Sequence, residues 1–255
     1  MMKFNLRAVL FGICLGLAAL GTGSPVHAQD AAPLGPAQIK AIEQVVRDYL
    51  MKNPELLIEA IQGMEAKGKA NEAEELKQTI AARKDEIFND TESYVAGNPK
   101  GSVTLVEFFD YRCPYCKAMA PGIAKLLEED KDLRVVYKEF PVLSQESGVA
   151  AQVAVAALRQ DKDKYLPLHK ALLGLRQLNE ESVFGAAKDV GLDVAALKRD
   201  MTAPAIGALF ERNIKLATDL RVNGTPAFII GEKVIVGGIE MNDLKALIAE
   251  VRAAK

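Results

Sequence analysis

Apolar positions recur at helical period early in the chain, where Ile39, Ile42, Val45, Val46, Tyr49 and Leu50 fall on one face. Asn53-Pro54 reads as an N-cap followed by proline at the first helical position, opening a second helix through Leu57, Ile58, Ile61 and Met64. A third, charged helix is expected from about Lys69 to Phe88, with Ala73, Leu76, Ile80 and Ile87 at a heptad-like spacing and Arg83 where the seam wants an apolar side chain. The period changes after the turn cluster Gly97-Asn98-Pro99-Lys100-Gly101. Val103 to Phe109 is β-branched and aromatic, a buried strand ending at Asp110. A helix from Cys113 or Pro114 to about Glu129 and a strand from Leu133 to Phe140 complete a βαβ unit, with parallel strands and a right-handed crossover. Ser144 to about Leu220 is helical, carried by Val149, Val153, Ala156 and Ala157, then Leu168, Leu172 and Leu175, then Ile206, Leu209, Phe210, Ile214 and Ala217. Ala227 to Ile230, a turn at Gly231-Glu232-Lys233 and Val234 to Val236 make a hairpin, and a helix from Met241 to Val251 follows. The order is βαβ, helical insertion, ββα, an α/β domain behind an N-terminal helical segment.

Composition narrows the function classes. The 255 residues are 49% hydrophobic and 26% charged with formal net charge −2, which excludes a disordered chain and gives no positive excess for nucleic acid. Lys3 and Arg7 precede an apolar run from Ala8 to Leu20, shorter than the about 20 residues a membrane-spanning helix needs. Val26-His27-Ala28 puts small residues at the −3 and −1 positions of a cleavage site, so residues 1–28 read as a secretory signal peptide. Its removal takes Cys14 and His27, and of 3 cysteines and 2 histidines only Cys113, Cys116 and His169 stay.

Cys113-Pro114-Tyr115-Cys116 then stands at a strand-to-helix junction, with both cysteines on one side of the first helical turn and within disulfide reach. Unpaired N–H groups at the helix start would stabilise a Cys113 thiolate, which makes it an attacking nucleophile and a good leaving group, with Cys116 the more buried resolving thiol. A structural zinc site would need about four ligands, and only His169 and carboxylates could complete one. A static disulfide closing so short a loop constrains the unfolded chain little. A redox-active dithiol is favoured over both. Glu107 lies in the preceding apolar strand, and Lys138 lies on the next one, on the face of Val136 and Phe140. A buried carboxylate beneath the dithiol could relay the proton as Cys116 attacks; strand-end side chains reaching solvent are the alternative. Thr225-Pro226 precedes an edge strand and suits a cis peptide bond, leaving the Thr225 carbonyl and N–H to an extended substrate chain; an ordinary trans proline is the alternative.

Glu107, the run from Phe108 to Cys116, Lys138 and Thr225-Pro226 resemble the active site of periplasmic DsbA-like thiol:disulfide oxidoreductases of the thioredoxin fold, over roughly Ser93 to Lys255. The stretch from Pro36 to Asp90 resembles the N-terminal oligomerisation region of the ScsC-like (suppressor of copper sensitivity C) branch. The resemblance implies a thioredoxin-like fold with a helical insertion at about 144–220, a catalytic domain at 93–255 and a helical oligomerisation segment at 29–92. It implies Cys113 as nucleophile, Cys116 as resolving cysteine, Glu107 and Lys138 beside them, and Pro114, Tyr115, Thr225 and the cis-proline Pro226 against substrate. No metal and no cofactor beyond the Cys113–Cys116 disulfide are implied. The expected partners are unfolded or misoxidised exported proteins, a membrane redox partner that recharges the dithiol, and further copies of the chain through residues 36–90. The site departs from DsbA, which has Pro-His between its cysteines, and from thioredoxins, which carry Trp before the first; here stand Pro-Tyr, Arg112 and no Trp. Whether such a centre forms or isomerises disulfides depends on reduction potential, partner and oligomeric state. The rival readings are a copper-handling protein using soft thiolates and an exported holdase with incidental cysteines.

Overall fold

The computed structural model describes residues 34–254, so the signal-peptide reading of residues 1–28 lies outside the described residues. Pro36 opens α1 (Pro36–Lys52), where a missing N–H costs nothing, and the Gly35 N–H donates to Gln38 Oε1 at 2.9 Å. Asn53 ends this helix, its side-chain amide donating to the Tyr49 carbonyl at 2.8 Å. Its side chain therefore serves the end of α1 and not, as expected of an N-cap, the next helix, whose Leu56 N–H donates to the Asn53 carbonyl at 3.2 Å. The expected second and third helices are a single one, α2 (Glu55–Ala82), because the Ala-, Glu- and Lys-rich stretch between them holds no breaker stronger than Gly63 and Gly68. The break comes at Arg83, ahead of the short α3 (Lys84–Phe88). Among the described residues no helix is long and apolar enough to cross a membrane.

The chain divides into two compact units inside α2, between Gln62 and Gly63. In the first, Ile42, Val46, Tyr49, Ile58 and Ile61 are between 49% and 58% exposed. So much contiguous apolar surface marks an interaction site.

The second unit is built on a sheet of order β1-β3-β2-β4-β5, from β1 (Tyr94–Gly97), β2 (Val103–Phe109), β3 (Leu133–Glu139), β4 (Ala227–Ile230) and β5 (Lys233–Val236). β2 and β3 run parallel, with Val103 opposite Leu133 and Phe109 opposite Glu139, as the βαβ reading requires. β4 is antiparallel to β2, and β5 to β4. β1, antiparallel to β3, is absent from the sequence-based expectation because four residues are too few for alternation to stand out. Gly97 ends it at φ +74°, and a Cβ there would sit 2.4 Å from the Leu133 carbonyl oxygen, so this turn needs glycine.

Alternation along β2 divides the core in two. Leu105 and Phe109 face α4 (Pro114–Glu129) and α10 (Met241–Ala253), together with the insertion helices α5 (Gln145–Gln160), α6 (Lys162–Gly174), α7 (Glu180–Asp189) and α8 (Val194–Asp200). Val106 and Phe108 face the other way, with Val136, Phe140 and Leu216 of α9 (Pro204–Asp219). Ile80 and Ile87 are buried in that second cluster and Leu76 packs against it. The heptad fragment therefore packs on this sheet and is not free to meet another chain.

Lys138 lies on the same second face, its side chain 1% exposed and its Nζ 2.6 Å from Asp90 Oδ2. The same Nζ donates to the Glu86 carbonyl at 2.7 Å, and Arg134 donates to the Phe88 carbonyl at 2.6 Å. These bonds fasten the segment after α3 onto the sheet. Burial acts to raise the Asp90 carboxyl pKa, but the hydrogen bond and charge of Lys138 outweigh it and hold the group below its ordinary value. Burial pulls the Lys138 pKa down, with Asp90 restoring part of the loss. Asp90→Ala leaves a buried ammonium without its counter-charge, and a loss of about 3–5 kcal/mol is expected in urea unfolding, largely recovered in Asp90→Ala/Lys138→Met. Equal unfolding midpoints for wild type and Asp90→Ala would overturn this role for the pair.

Candidate active site

β2 delivers Asp110 at its end, buried and acceptor-only. Its Oδ1 accepts from the Arg112 N–H and the Ser147 hydroxyl, both at 2.7 Å. Its Oδ2 accepts from the N–H groups of Val142 and Leu143 at 3.0 and 3.1 Å. The Asp110 carbonyl accepts from the Cys113 N–H at 3.0 Å. One residue thus ties the loop after β2, the loop after β3 and the start of α5 to one point.

Held this way, Cys113 is the N-cap of α4, with Pro114 at the first helical position and no side chain capping the helix. Its thiol donates to the Thr225 carbonyl at 3.1 Å, and the Thr225–Pro226 peptide bond is cis. Both cysteines are free thiols, Cys113 3% and Cys116 0% exposed. The Gly237 N–H donates to the Pro226 carbonyl at 2.8 Å, which joins the proline loop to the end of β5. Around this point the apolar side chains of Tyr115, Val142, Leu143 and Val236 stay exposed.

Glu107 lies behind the pair, buried on the Leu105–Phe109 face of β2. Burial pushes its carboxyl up to about 8. With Ile123, Ala124, Tyr137 and His169 it lines a cavity of about 10 Å³, room for a single water. Burial drives the Cys116 thiol far above its ordinary value; the charge of Glu107 and the Cys113 side chain add to this, and a backbone hydrogen bond from Asp110 opposes it. Glu107 is therefore electrostatically coupled to Cys116.

The structure gathers Cys113, Cys116, Glu107, Thr225 and Pro226, with Pro114 and Tyr115 at the helix start. Lys138 does not join them. It shares the face of Val136 and Phe140, as the alternation implies, but the cysteines sit over the opposite face, and its ammonium is bound to Asp90. Sequence reasoning passed over Asp110, whose signal was an acid directly after an apolar strand. It also passed over a buried group around Glu139, which accepts from the hydroxyls of Tyr165 at 2.8 Å and Tyr111 at 3.1 Å. Its signal was a second charge beside Lys138 inside a strand. Among the described residues no group of three or more His, Cys, Asp or Glu could hold a metal ion.

A family model described as DSBA-like thioredoxin domain matches residues 104–249, and one described as Copper resistance protein ScsC N-terminal domain matches residues 38–70. The chain is 40% identical to a thioredoxin-like oxidoreductase from Silicibacter pomeroyi DSS-3, over 67% of this chain and 98% of that one, with a TM-score of 0.64. It is 31% identical to Proteus mirabilis ScsC in a transitional conformation, over 88% of this chain and 99% of that one, with a TM-score of 0.65. It is also 31% identical to the thiol-disulfide exchange protein alpha-DsbA2 from Wolbachia pipientis, over 71% and 98%, with a TM-score of 0.67. Among curated relatives, the Na(+)/H(+) antiporter NhaA 1 of Salinispora arenicola (strain CNS-205) is 26% identical over 63% of this chain, which spans 25% of that protein.

The position of Glu107 sets a pH dependence. Its folded value of about 8 lies above the ordinary 4.5, so the folded dithiol form holds a proton that the unfolded chain releases. Stability from this group is complete below the ordinary value and is lost as pH rises through the folded one. Glu107→Gln should therefore raise Tm at pH 8 and change it little at pH 4, as followed by calorimetry of the reduced protein. A Tm difference independent of pH would refute the buried protonated carboxyl.

Proposed function

We propose, for a chain that belongs to the DSBA-like thioredoxin-domain family and carries an ScsC N-terminal domain, that it forms and isomerises disulfides in exported proteins through Cys113 and Cys116. The family is one of thiol:disulfide oxidoreductases; the site, direction and setting are our reading. The observation that carries it is the Cys113 thiol at the uncapped start of α4, held against the Thr225 carbonyl, with Cys116 buried beside Glu107.

In the oxidising direction a substrate thiolate attacks Cys113 Sγ of the Cys113–Cys116 disulfide. The bond between the two cysteines breaks, and Cys116 leaves as a thiolate that takes a proton from Glu107. A second substrate thiolate attacks the substrate sulfur of the mixed disulfide, closing the substrate's bond while Cys113 leaves as a thiolate facing the N–H groups of α4. With a wrong disulfide as substrate, the Cys113 thiolate attacks first and the substrate re-pairs before it is released. We read the Thr225 backbone beside Cys113 as the edge along which an extended chain lies, its carbonyl exchanging the Cys113 thiol for a substrate N–H, with Tyr115, Val142, Leu143 and Val236 as an apolar rim. No cofactor beyond the Cys113–Cys116 disulfide is required. The protein would work in the periplasm after loss of residues 1–28, recharged by a membrane redox partner. The words copper resistance in the name of the family matching 38–70 favour a second reading, copper handling. Copper retained against excess competing thiol without any dithiol–disulfide turnover would put that reading first.

Refolding of a reduced and of a scrambled disulfide substrate tests the proposal. Cys113→Ser should abolish both activities, and Cys116→Ser should accumulate mixed disulfides through Cys113. Wild-type turnover in Cys113→Ser would end it. The apolar stripe of α1 and the first turns of α2 further supports self-association, which gathers several dithiols around one misfolded substrate. Light scattering should give an oligomer for the mature chain and a monomer for Ile42→Glu/Val46→Glu/Ile58→Glu. That monomer should still oxidise but lose isomerisation; a monomeric wild type would refute the role of this stripe.

A further inference from the structure

Behind the cysteines lies a string of buried polar groups that the exchange steps above leave unused. Tyr111 stands two residues before Cys113 and is 1% exposed, and its hydroxyl contacts both Glu139 Oε1 at 3.1 Å and His169 Nδ1 at 3.2 Å. Tyr165, one helical turn before His169 on α6, donates to the same Glu139 oxygen at 2.8 Å. His169 is 3% exposed and lines the small cavity that Glu107 lines from β2. Glu107 and Glu139 thus lie on the same face of the sheet, joined by an imidazole, a phenol and a cavity with room for one water.

We propose that Glu139 is a second buried proton store, which exchanges a proton with Glu107 through Tyr111, His169 and the cavity as Cys116 gains or loses its own. The inference rests on the disulfide-exchange reading. Each link has a donor and an acceptor in both directions. With the proton on Glu139, its hydroxyl donates to Tyr111, Tyr111 donates to His169 Nδ1, and the His169 Nε2–H points its proton toward the cavity. When Cys116 leaves as a thiolate it takes the Glu107 proton. Nε2–H then gives its proton through the cavity to the Glu107 carboxylate, Nδ1 takes the Tyr111 proton, and Tyr111 takes the one on Glu139. The string ends with Glu107 protonated, Glu139 ionised, His169 neutral in its other tautomer and Tyr111 a phenol donating to Glu139. One proton has passed from the string to Cys116 and one negative charge now rests on Glu139, and in the reverse direction every bond swaps back.

The groups facing Glu139 fit this role. Tyr111 and Asp110 come from the loop after β2, Tyr165 and His169 from α6, and Asn213 of α9 donates to the Glu139 carbonyl at 2.9 Å. Asp110 contributes a negative charge to Glu139, and among the groups packed against it none supplies a cation. Burial pushes the Glu139 carboxyl up to about 8, with the two tyrosine hydrogen bonds opposing and the Asp110 charge adding. Burial thus moves both acids in the same direction, so each can hold a proton near neutral pH. Burial and the Lys170 charge hold His169 down at about 3, which keeps the imidazole neutral and restricts it to relay by tautomer exchange.

Redox-difference infrared spectroscopy of the full protein reads the test, through the carbonyl band of protonated carboxylic acids. On reduction of Cys113–Cys116 the wild type should lose the carbonyl band of Glu139 and shift that of Glu107; Glu139→Gln removes the first alone, and Glu107→Gln, which takes away the end of the string at Cys116, silences both. Tyr111→Phe cuts the string and should silence the Glu139 band while leaving that of Glu107. Tyr165→Phe removes an equal hydrogen bond without cutting the string, and should shift the Glu139 band yet keep its response. Mixed-disulfide formation should slow roughly tenfold in Glu139→Gln and Tyr111→Phe, and little in Tyr165→Phe. Should Glu139→Gln fail to fold, Tyr111→Phe and Glu107→Gln still decide the matter, because each must silence the Glu139 response. Exchange with substrate while every band but that of Glu107 ignores the redox state would overturn this inference and leave the oxidoreductase reading intact. A wild type that exchanges no disulfides would overturn the reading itself.

Discussion

The Asp110 carboxylate takes hydrogen bonds from the backbones of Arg112, Val142 and Leu143 and from the Ser147 hydroxyl, and these four donors belong to three different pieces of the site. Buried N–H groups must be paired, and the ends of parallel strands leave several of them pointing away from the sheet. Here one acid at the end of β2 satisfies them together. The consequence is geometric. The loop to Cys113 cannot move without the loop after Phe140, and neither can move without the start of α5. The Thr225 loop meets the same centre from the β4 side, by the thiol of Cys113. A redox cysteine that has to be attacked along one line gains from such fixing, because misplacing the reacting sulfur costs rate directly.

The two faces of the sheet divide the ionisable groups by function. On the face of Val106 and Phe108 the buried charge is Lys138, matched by Asp90 and closed off by the Glu86 carbonyl, an arrangement that fastens chain to chain. On the face of Leu105 and Phe109 the buried groups are acids that form no ion pair among the described residues, packed among tyrosines and His169, with Lys170 at the cavity beside Glu107. An acid matched by a cation is held ionised and cannot pass its proton on. An acid buried without one holds a proton near neutral pH and can release it. The difference follows from alternation along β2 and β3, since Glu107, Tyr137 and Glu139 share one side and Phe108 and Lys138 the other.

This division also marks how much of the protein could be read from its residues. Regular elements were legible where one strong signal ruled a stretch: the β-branched run of β2, Pro114 at the start of α4, the β4–β5 hairpin and the cis bond at Thr225-Pro226, although the strand it precedes, β4, lies between β2 and β5 and is not the edge strand expected. Alternation even put Lys138 on the side of Val136 and Phe140. It could not say which side the cysteines use, because that depends on how α4 returns over the sheet. β1 escaped for lack of length, and the break at Arg83, between Ile80 and Ile87 that both pack on the sheet, escaped because no glycine or proline announces it. The group around Glu139 escaped for a further reason. Its members come from a strand, a loop and a helix far apart in the chain, and spacing within an element carries no information about meetings between elements.

Such a group has a cost on both sides of neutrality, and the sign of each contribution is fixed by its burial. Burial lowers His169 to about 3, below the ordinary 6.5, so the unfolded chain takes up a proton that the folded one refuses and stability falls as pH drops from 6.5 toward 3. Glu107 and Glu139 are raised to about 8 from 4.5, so the folded chain keeps protons that the unfolded one releases and stability falls as pH rises from 4.5 toward 8. Apolar residues of the same volume would remove both slopes, and replacing buried ionisable groups in that way is commonly neutral or stabilising. Packing therefore gives no reason for three such groups to stand on one face of one sheet. Their neighbour does. In the exchange we propose, Cys116 is a buried thiol that gives up and recovers a proton in every cycle, and acids that hold their protons near neutral pH, arranged behind it with a neutral imidazole between them, would supply that need without placing a permanent charge beside the sulfur.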